Sequence, residues 1–256
     1  MGVRLMAKTK AIITDEVSLP SKGLLYNGKI PSTIVMRPMT VNELKILYGS
    51  ASTMIALNSI LKEVITNVKD LNVDDLLLDD KYYLAYQLRI MTFGEMYDAD
   101  VRCPHCGKED HVQFNLSELK VKELPDDYID PRNIGKLPKS GDTIETKLLR
   151  VGDFARIIKR AGEIRKKYPD FEGEPTYHLS LAAQVATVNG EKKSSRDMEQ
   201  YILDMHAVDA MYLQKKLNEF EFGLDVAVTH ECKSCGEEMN LQLAIGEDFF
   251  RPELEL

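Results

Sequence analysis

Four cysteines in two matching units are the residues most able to do chemistry: Cys103-Pro104-His105-Cys106-Gly107 and Cys232-Lys233-Ser234-Cys235-Gly236. Two residues between thiols let both sulfurs reach one ion from a tight turn, and the following glycine takes backbone angles that a β-branched residue resists. The sequence holds no other cysteine, so a four-thiolate site uses the whole set. The pattern predicts one structural zinc ion per chain, held by Cys103, Cys106, Cys232 and Cys235. A complete thiolate set leaves no open coordination position, which argues against catalytic zinc. A redox dithiol is the next reading, weakened because neither pair opens a helix after a strand; two disulfides or idle thiols are the others. His105 and His230 lie beside the cysteines and can replace a ligand, though they read more simply as ordinary knuckle residues. The His-x-Glu of a zinc-deaminase signature is missing.

The likeness of the two units extends past the turns. Aligning Cys103 on Cys232 sets Val112, Phe114 and Leu116 opposite Leu241, Leu243 and Ile245. Each unit then reads as a strand, a knuckle and a second strand with the same inward parity. Two knuckles closing on one ion make a zinc ribbon, here split, because 125 residues separate Cys106 from Cys232. An ion in that place closes a very long loop, where a cross-link removes the most unfolded-state entropy.

The expected fold class is α+β, mainly helical, with this split ribbon formed by 98–116 and 224–248. Residues 1–38 read as an extended N-terminal arm, with turn signals at Leu19-Pro20-Ser21-Lys22-Gly23 and Tyr26-Asn27-Gly28-Lys29 and a short strand at Ile34-Val35-Met36. Residues 39–97 read as a helical segment. Thr40 and Glu43 form a capping box, Met54, Leu57, Leu61, Val64 and Ile65 recur at helical spacing, and Gly94 stops a helix running from about Asp80 to Phe93. Residues 117–141, with Pro125, Pro131, Pro138, Gly135 and Gly141, read as a linker. The insert 142–223 opens on a strand at Thr143–Leu149. It continues with an amphipathic helix over 152–167 and helices near 178–188, 195–205 and 207–222, the last capped by Gly223. Residues 249–256 form a C-terminal tail.

Composition is that of a globular chain: 256 residues, 44% hydrophobic and 29% charged, with 15 Gly and 10 Pro. The net charge of −8 argues against coating nucleic acid, whose affinity comes from neutralising phosphates. No apolar run approaches the ~20 residues of a membrane-spanning helix. MGVRLMAKTK has no apolar stretch after its basic residues, so a cytosolic start, at Met1 or Met6, is expected rather than a secretory signal. No Gly-x-Ser-x-Gly elbow, His-Glu-x-x-His or phosphate loop is present, and Gly135–Gly141 has the letters of a phosphate loop at the wrong spacing. Asp74-Asp75 and Asp79-Asp80 read as helix-start residues. The cations Arg156, Lys159, Arg160, Arg165, Lys166 and Lys167 on helix 152–167 read as a solvated face, with docking of an acidic partner as the functional alternative.

The order of motifs carries a resemblance. Leu19-Pro20-Ser21-Lys22-Gly23 with Tyr26 is followed by Arg37-Pro38-Met39-Thr40 with Glu43. Leu88-Arg89-Ile90 with Phe93-Gly94 and Tyr97 come next, then the two distant Cys-x-x-Cys units and the closing Phe249-Phe250. The series resembles the T4-type baseplate hub and hub-assembly family of contractile-tailed bacteriophages, over most of the chain. The resemblance implies a non-enzymatic structural or assembly component of the baseplate hub, in the virion tail, in the infected host cytoplasm, or both. Its implied partners are other baseplate, hub or tail proteins, including the tape-measure or tail-tube end, with no direct nucleic acid and no membrane span. It also suggests the terminal segments, Pro20, Lys22, Gly23 and Tyr26 with Phe249 and Phe250, as partner contacts. Against that stands the simpler reading in which Phe249-Phe250 docks into the chain's own core. Two rival functions are a zinc-ribbon nucleic-acid accessory protein, opposed by the ribbon's carboxylates Asp98, Asp100, Glu109, Asp110, Glu231, Glu237 and Glu238, and an enzyme whose site is assembled from scattered residues.

Overall fold

The computed structural model describes residues 13–50, 52–170, 173–246 and 248–251. The choice between Met1 and Met6 and the tail beyond Arg251 lie outside these residues. In chain order the elements are β1 (Asp15–Ser18), β2 (Thr33–Met36), α1 (Val41–Gly49), α2 (Thr53–Val64), α3 (Leu78–Phe93), β3 (Met96–Arg102) and β4 (Glu109–Asn115). They continue with β5 (Val121–Lys122), β6 (Arg132–Lys136), β7 (Thr143–Thr146), α4 (Val151–Lys167), α5 (Pro175–Gln184) and β8 (Val185–Val188). The last are α6 (Ser195–Leu203), α7 (Ala207–Asn218), β9 (Gly223–Leu224), β10 (Ala227–Glu231) and β11 (Glu238–Gln242). The fold is α+β, with helices set among small antiparallel sheets: β1-β2, β3-β4, β5-β9, β10-β11 and the three-stranded β6-β7-β8.

The N-terminal elements form where local chemistry directs them. Asn27 and Gly28 both take positive φ, 51° and 75°, and the Lys29 N–H donates to the Tyr26 carbonyl at 3.0 Å, the turn that Asn-Gly favours between paired strands. Thr40 and Glu43 make the capping box of α1. Arg37 clamps the same Glu43 with two hydrogen bonds of 3.1 and 2.9 Å, and its guanidinium holds the Glu43 carboxyl down at about 2.

The Pro20–Tyr26 turn is bolted to α3 through a buried carboxylate. Asp80 accepts from the Ser21 N–H at 3.1 Å, the Ser21 hydroxyl at 2.5 Å and the Tyr26 hydroxyl at 2.5 Å. The Leu77 N–H donates in turn to the Tyr26 oxygen at 2.9 Å. Burial raises the Asp80 pKa, and its donors oppose that rise. Asp80 is therefore an internal anchor rather than a simple helix-start charge, and Pro20 and Tyr26, suggested as partner contacts, are buried in the chain's own core. Lys22 stays half-exposed and pairs with Asp126 at 2.5 Å. Gly23 is fixed by space and angle: with φ 73°, an added Cβ would sit 2.9 Å from the Ser32 nitrogen.

Asp79 presents the opposite case. Burial, the neighbouring Asp80 charge and Glu221 push its pKa up to about 7. The folded state holds this proton more tightly than the unfolded chain, whose carboxylate titrates near 3.8. The contribution is present below about pH 4 and lost as pH rises through about 7. Asp79→Asn is expected to stabilise the chain at about pH 8 by on the order of 2–4 kcal/mol, partial exposure screening the full value, and to change little at about pH 4. Urea unfolding at both pH values checks it; an equal shift at the two would contradict it.

The principal core gathers β1, β2 and α1–α3 and adds residues from distant parts of the chain, Leu116, Leu124, Val151, Phe222, Leu243, Phe249 and Phe250. The two ends of the described chain thus share one interior. Phe249 lies 4.7 Å from the Tyr86 ring, 5.4 Å from Tyr97 and 5.1 Å from Phe250. The buried Arg89 donates to the carbonyls of Phe249, Gly94 and Met96 at 2.9, 2.9 and 3.2 Å. Phe249 and Phe250 are at most 1% exposed, so in this structure both side chains are packed inside the chain's own core.

The insert has its own core around Ile144, Leu181, Val185, Met198, Ile202 and Leu213. Three expectations differ here. The helix near 178–188 ends at Gln184, and Val185–Val188 becomes β8, because its β-branched residues pack better on a sheet beside β7. The helix expected over 207–222 ends at Asn218, and Gly223 opens β9 rather than capping it. Residues 117–141, read as a linker, supply β5 and β6 and bury Leu124, Ile134 and Leu137; prolines and glycines there shape turns between short strands instead of leaving the segment loose.

Candidate metal centre

Each cysteine unit is a hairpin tip. β3 and β4 pair in register from Met96↔Asn115 to Arg102↔Glu109, and β10 and β11 from Ala227↔Gln242 to Glu231↔Glu238. The turns between them are superposable in their hydrogen bonds. Cys103 N–H donates to the Lys108 carbonyl at 2.9 Å and Gly107 N–H to the Cys103 carbonyl at 2.9 Å; the second turn repeats this from Cys232 to Glu237 at 3.0 Å and from Gly236 to Cys232 at 2.8 Å. Gly107 and Gly236 take φ of 72° and 75°, angles that close the knuckle at no cost only for glycine.

The structure brings all four predicted cysteines together. Cys103 Sγ lies 3.8 Å from Cys235 Sγ and Cys106 Sγ 3.8 Å from Cys232 Sγ, and all four sulfurs fall within 4.8 Å of one another. A tetrahedron of thiolates about 2.3 Å from a central ion has edges of about 3.8 Å, so the spacing fits four sulfurs sharing one tetrahedral ion. All four cysteines are free thiols, and the two 3.8 Å contacts each join one knuckle to the other. Cys103 and Cys232 are buried with Met239, while Cys106 and Cys235 face outward.

The electrostatics suit a cation. Backbone N–H groups of Cys106 and His105 hold the Cys103 thiol down at about 7. At Cys235 the Glu237 N–H favours the thiolate, but burial and the thiols of Cys232, Cys106 and Cys103 outweigh it and push that group up to about 12. Four thiols so close resist ionising together on their own; a divalent ion at their centre supplies the opposite charge that lets them.

A second link, missed from the sequence, joins the hairpins beside the thiols. Asp110 of β4 lies 2.9 Å from His230 Nε2 of β10 and accepts from the Lys233 N–H at 3.0 Å, and Lys233 Nζ donates to the His111 carbonyl at 2.6 Å. The His230 and Lys233 bonds hold the Asp110 carboxyl down at about 2. His230 is thus engaged with a carboxylate, and His105 is exposed outside the thiol cluster. The signal for Asp110 was available: in the alignment that pairs the cysteines it stands opposite Met239, an inward position where one unit carries a charge and the other an apolar side chain.

Other candidate sites resolve differently. The Lys139 and Ser140 N–H groups in the Gly135–Gly141 loop hold an anion, but it is the chain's own Asp209, at 2.7 and 2.9 Å. Burial opposes charge on Asp209, and these donors hold its pKa below the usual carboxylate value. On α4, Arg156, Arg160 and Arg165 pair with Asp153, Glu199 and Glu174 at 2.5, 3.1 and 2.6 Å.

A family model described as T4 bacteriophage base plate protein matches residues 13–251 of the chain. Neither a curated protein nor a solved structure matches it.

Proposed function

The chain belongs to the T4 bacteriophage base plate protein family, and from that premise we propose that it is a non-enzymatic structural or assembly component of the baseplate hub, held together by one structural zinc ion. The observation that carries the reading is the match over 13–251. The motifs of the family-like series are the anchors of this fold: Ser21 and Tyr26 on Asp80, Arg37 on Glu43, Arg89 on the Phe249 carbonyl. In this reading Cys103, Cys106, Cys232 and Cys235 hold the zinc as a four-thiolate ribbon, and the metal supplies bonds and charge rather than catalysis. The segment 142–223 is an insert between the ribbon halves, and helix outweighs strand among the described residues. Its partners are other baseplate or tail proteins, met in the virion tail or in the host cytoplasm during assembly. No helix among the described residues is long and apolar enough to cross a membrane. Exposed Asp98, Asp100 and Glu109 on the first hairpin disfavour a nucleic-acid role.

Quantitative mass spectrometry of purified particles and of infected-cell lysate tests this. Recovery from particles at a fixed stoichiometry is expected for a hub subunit, and recovery only with tail-assembly intermediates for an assembly factor. Presence in lysate with neither association contradicts both.

A further inference from the structure

A cleft of about 560 Å³ lies between α4, α5 and the start of α6. Its floor is apolar, formed by Ile157, Leu179, Val185 and Met198, and its rim carries five cations, Lys147, Arg156, Arg160, Lys193 and Arg196. Two carboxylates share that rim. Asp153 is divided between Lys147 at 3.1 Å and Arg156 at 2.5 Å, and Glu199 serves Arg160. Lys193 and Arg196 are exposed and form no salt bridge among the described residues; the Lys193 ammonium lies 5.6 Å over the Tyr201 ring. A positive cleft in a chain of net charge −8 runs against the protein's overall field, which would repel the ligand the cleft is built to attract.

We propose that this cleft docks an acidic segment of a partner protein that also carries apolar side chains. The apolar floor takes one or two aliphatic groups; Arg196 takes a carboxylate without first breaking a salt bridge, and Lys193 gives up no more than its contact with the Tyr201 ring. A plain polyanion leaves the floor unfilled, and a plain hydrophobic segment leaves the rim unpaired; alternating acidic and aliphatic residues satisfy both. The basic face of α4 is in this view one wall of a site. The inference stands on the cleft alone and does not depend on the baseplate reading.

Fluorescence anisotropy with a labelled hexapeptide of alternating glutamate and leucine, at low ionic strength, tests it on the full chain. Saturable binding is expected, weakened about tenfold or more in the Lys193→Glu/Arg196→Glu double variant. The Lys159→Glu/Lys166→Glu variant makes the same charge change on exposed residues outside the cleft and should bind as the parent does. Circular dichroism of both variants establishes that they fold. Equal weakening in the two variants, equal binding of an all-glutamate peptide or a short oligothymidylate, or no binding of the alternating peptide overturns the proposal.

Discussion

Phe249→Ala is expected to lower the unfolding free energy by about 3–5 kcal/mol, the range for emptying a fully buried aromatic site. The ring is 0% exposed and touches Tyr86, Tyr97 and Phe250. The position of its carbonyl also sets one of the three bonds that satisfy the buried Arg89 guanidinium, and loosening it leaves a buried charge less well solvated. The chain has no tryptophan, so urea unfolding followed by far-ultraviolet circular dichroism is the suitable readout. An isolated chain of unchanged stability that fails only to join its partners would mean that the pair acts between molecules and that the docked position is incidental.

The second large effect concerns the proposed metal ion. Stripping it with a chelator is expected to release the two hairpins while leaving the principal core folded. Along β3 and β10 no position is fully buried, and on β4 and β11 the only fully buried apolar side chains are Val112 and Met239, so a small hydrophobic area holds the hairpins once the thiolates repel. The core around α2 and α3 does not depend on them. The long loop between the knuckles has a second closure where β5 pairs with β9 through Val121↔Leu224 and Lys122↔Gly223, and Phe222 and Leu124 lie buried beside it. Amide hydrogen exchange should therefore show protection lost over 96–115 and 227–242 and retained over 53–64 and 78–93. Global unfolding on chelation would mean that the ion, rather than the shared core, joins the two ends.

The cysteine site was legible because every element of it is local: two turns with fixed spacing, glycines at the αL position and matching strand parity. Its companion was less so. Asp110 and His230 meet only because the hairpins pack, and the one local hint is a charged residue where the sister unit has Met239. Helix starts with their own caps, such as Thr40–Glu43, were readable for the same reason of locality. The boundary at Gln184–Val185 was not, since a periodic pattern continues across it and the pairing of β8 with β7 decides the outcome. The terminal motifs are a different case. Pro, Gly, Tyr and Phe in short order look like contact segments, yet a buried acceptor 54 residues from Tyr26 and a buried arginine 160 residues from Phe249 claim them internally. Such long-range partners are invisible to windowed patterns.

The most direct test of the central claim, one ion shared by two hairpins, is metal analysis of the purified chain and its single cysteine variants. The account predicts about one zinc per parent chain, lost alike in Cys103→Ser and Cys232→Ser although the two residues lie in different hairpins. Full zinc retained in either variant would contradict a shared site.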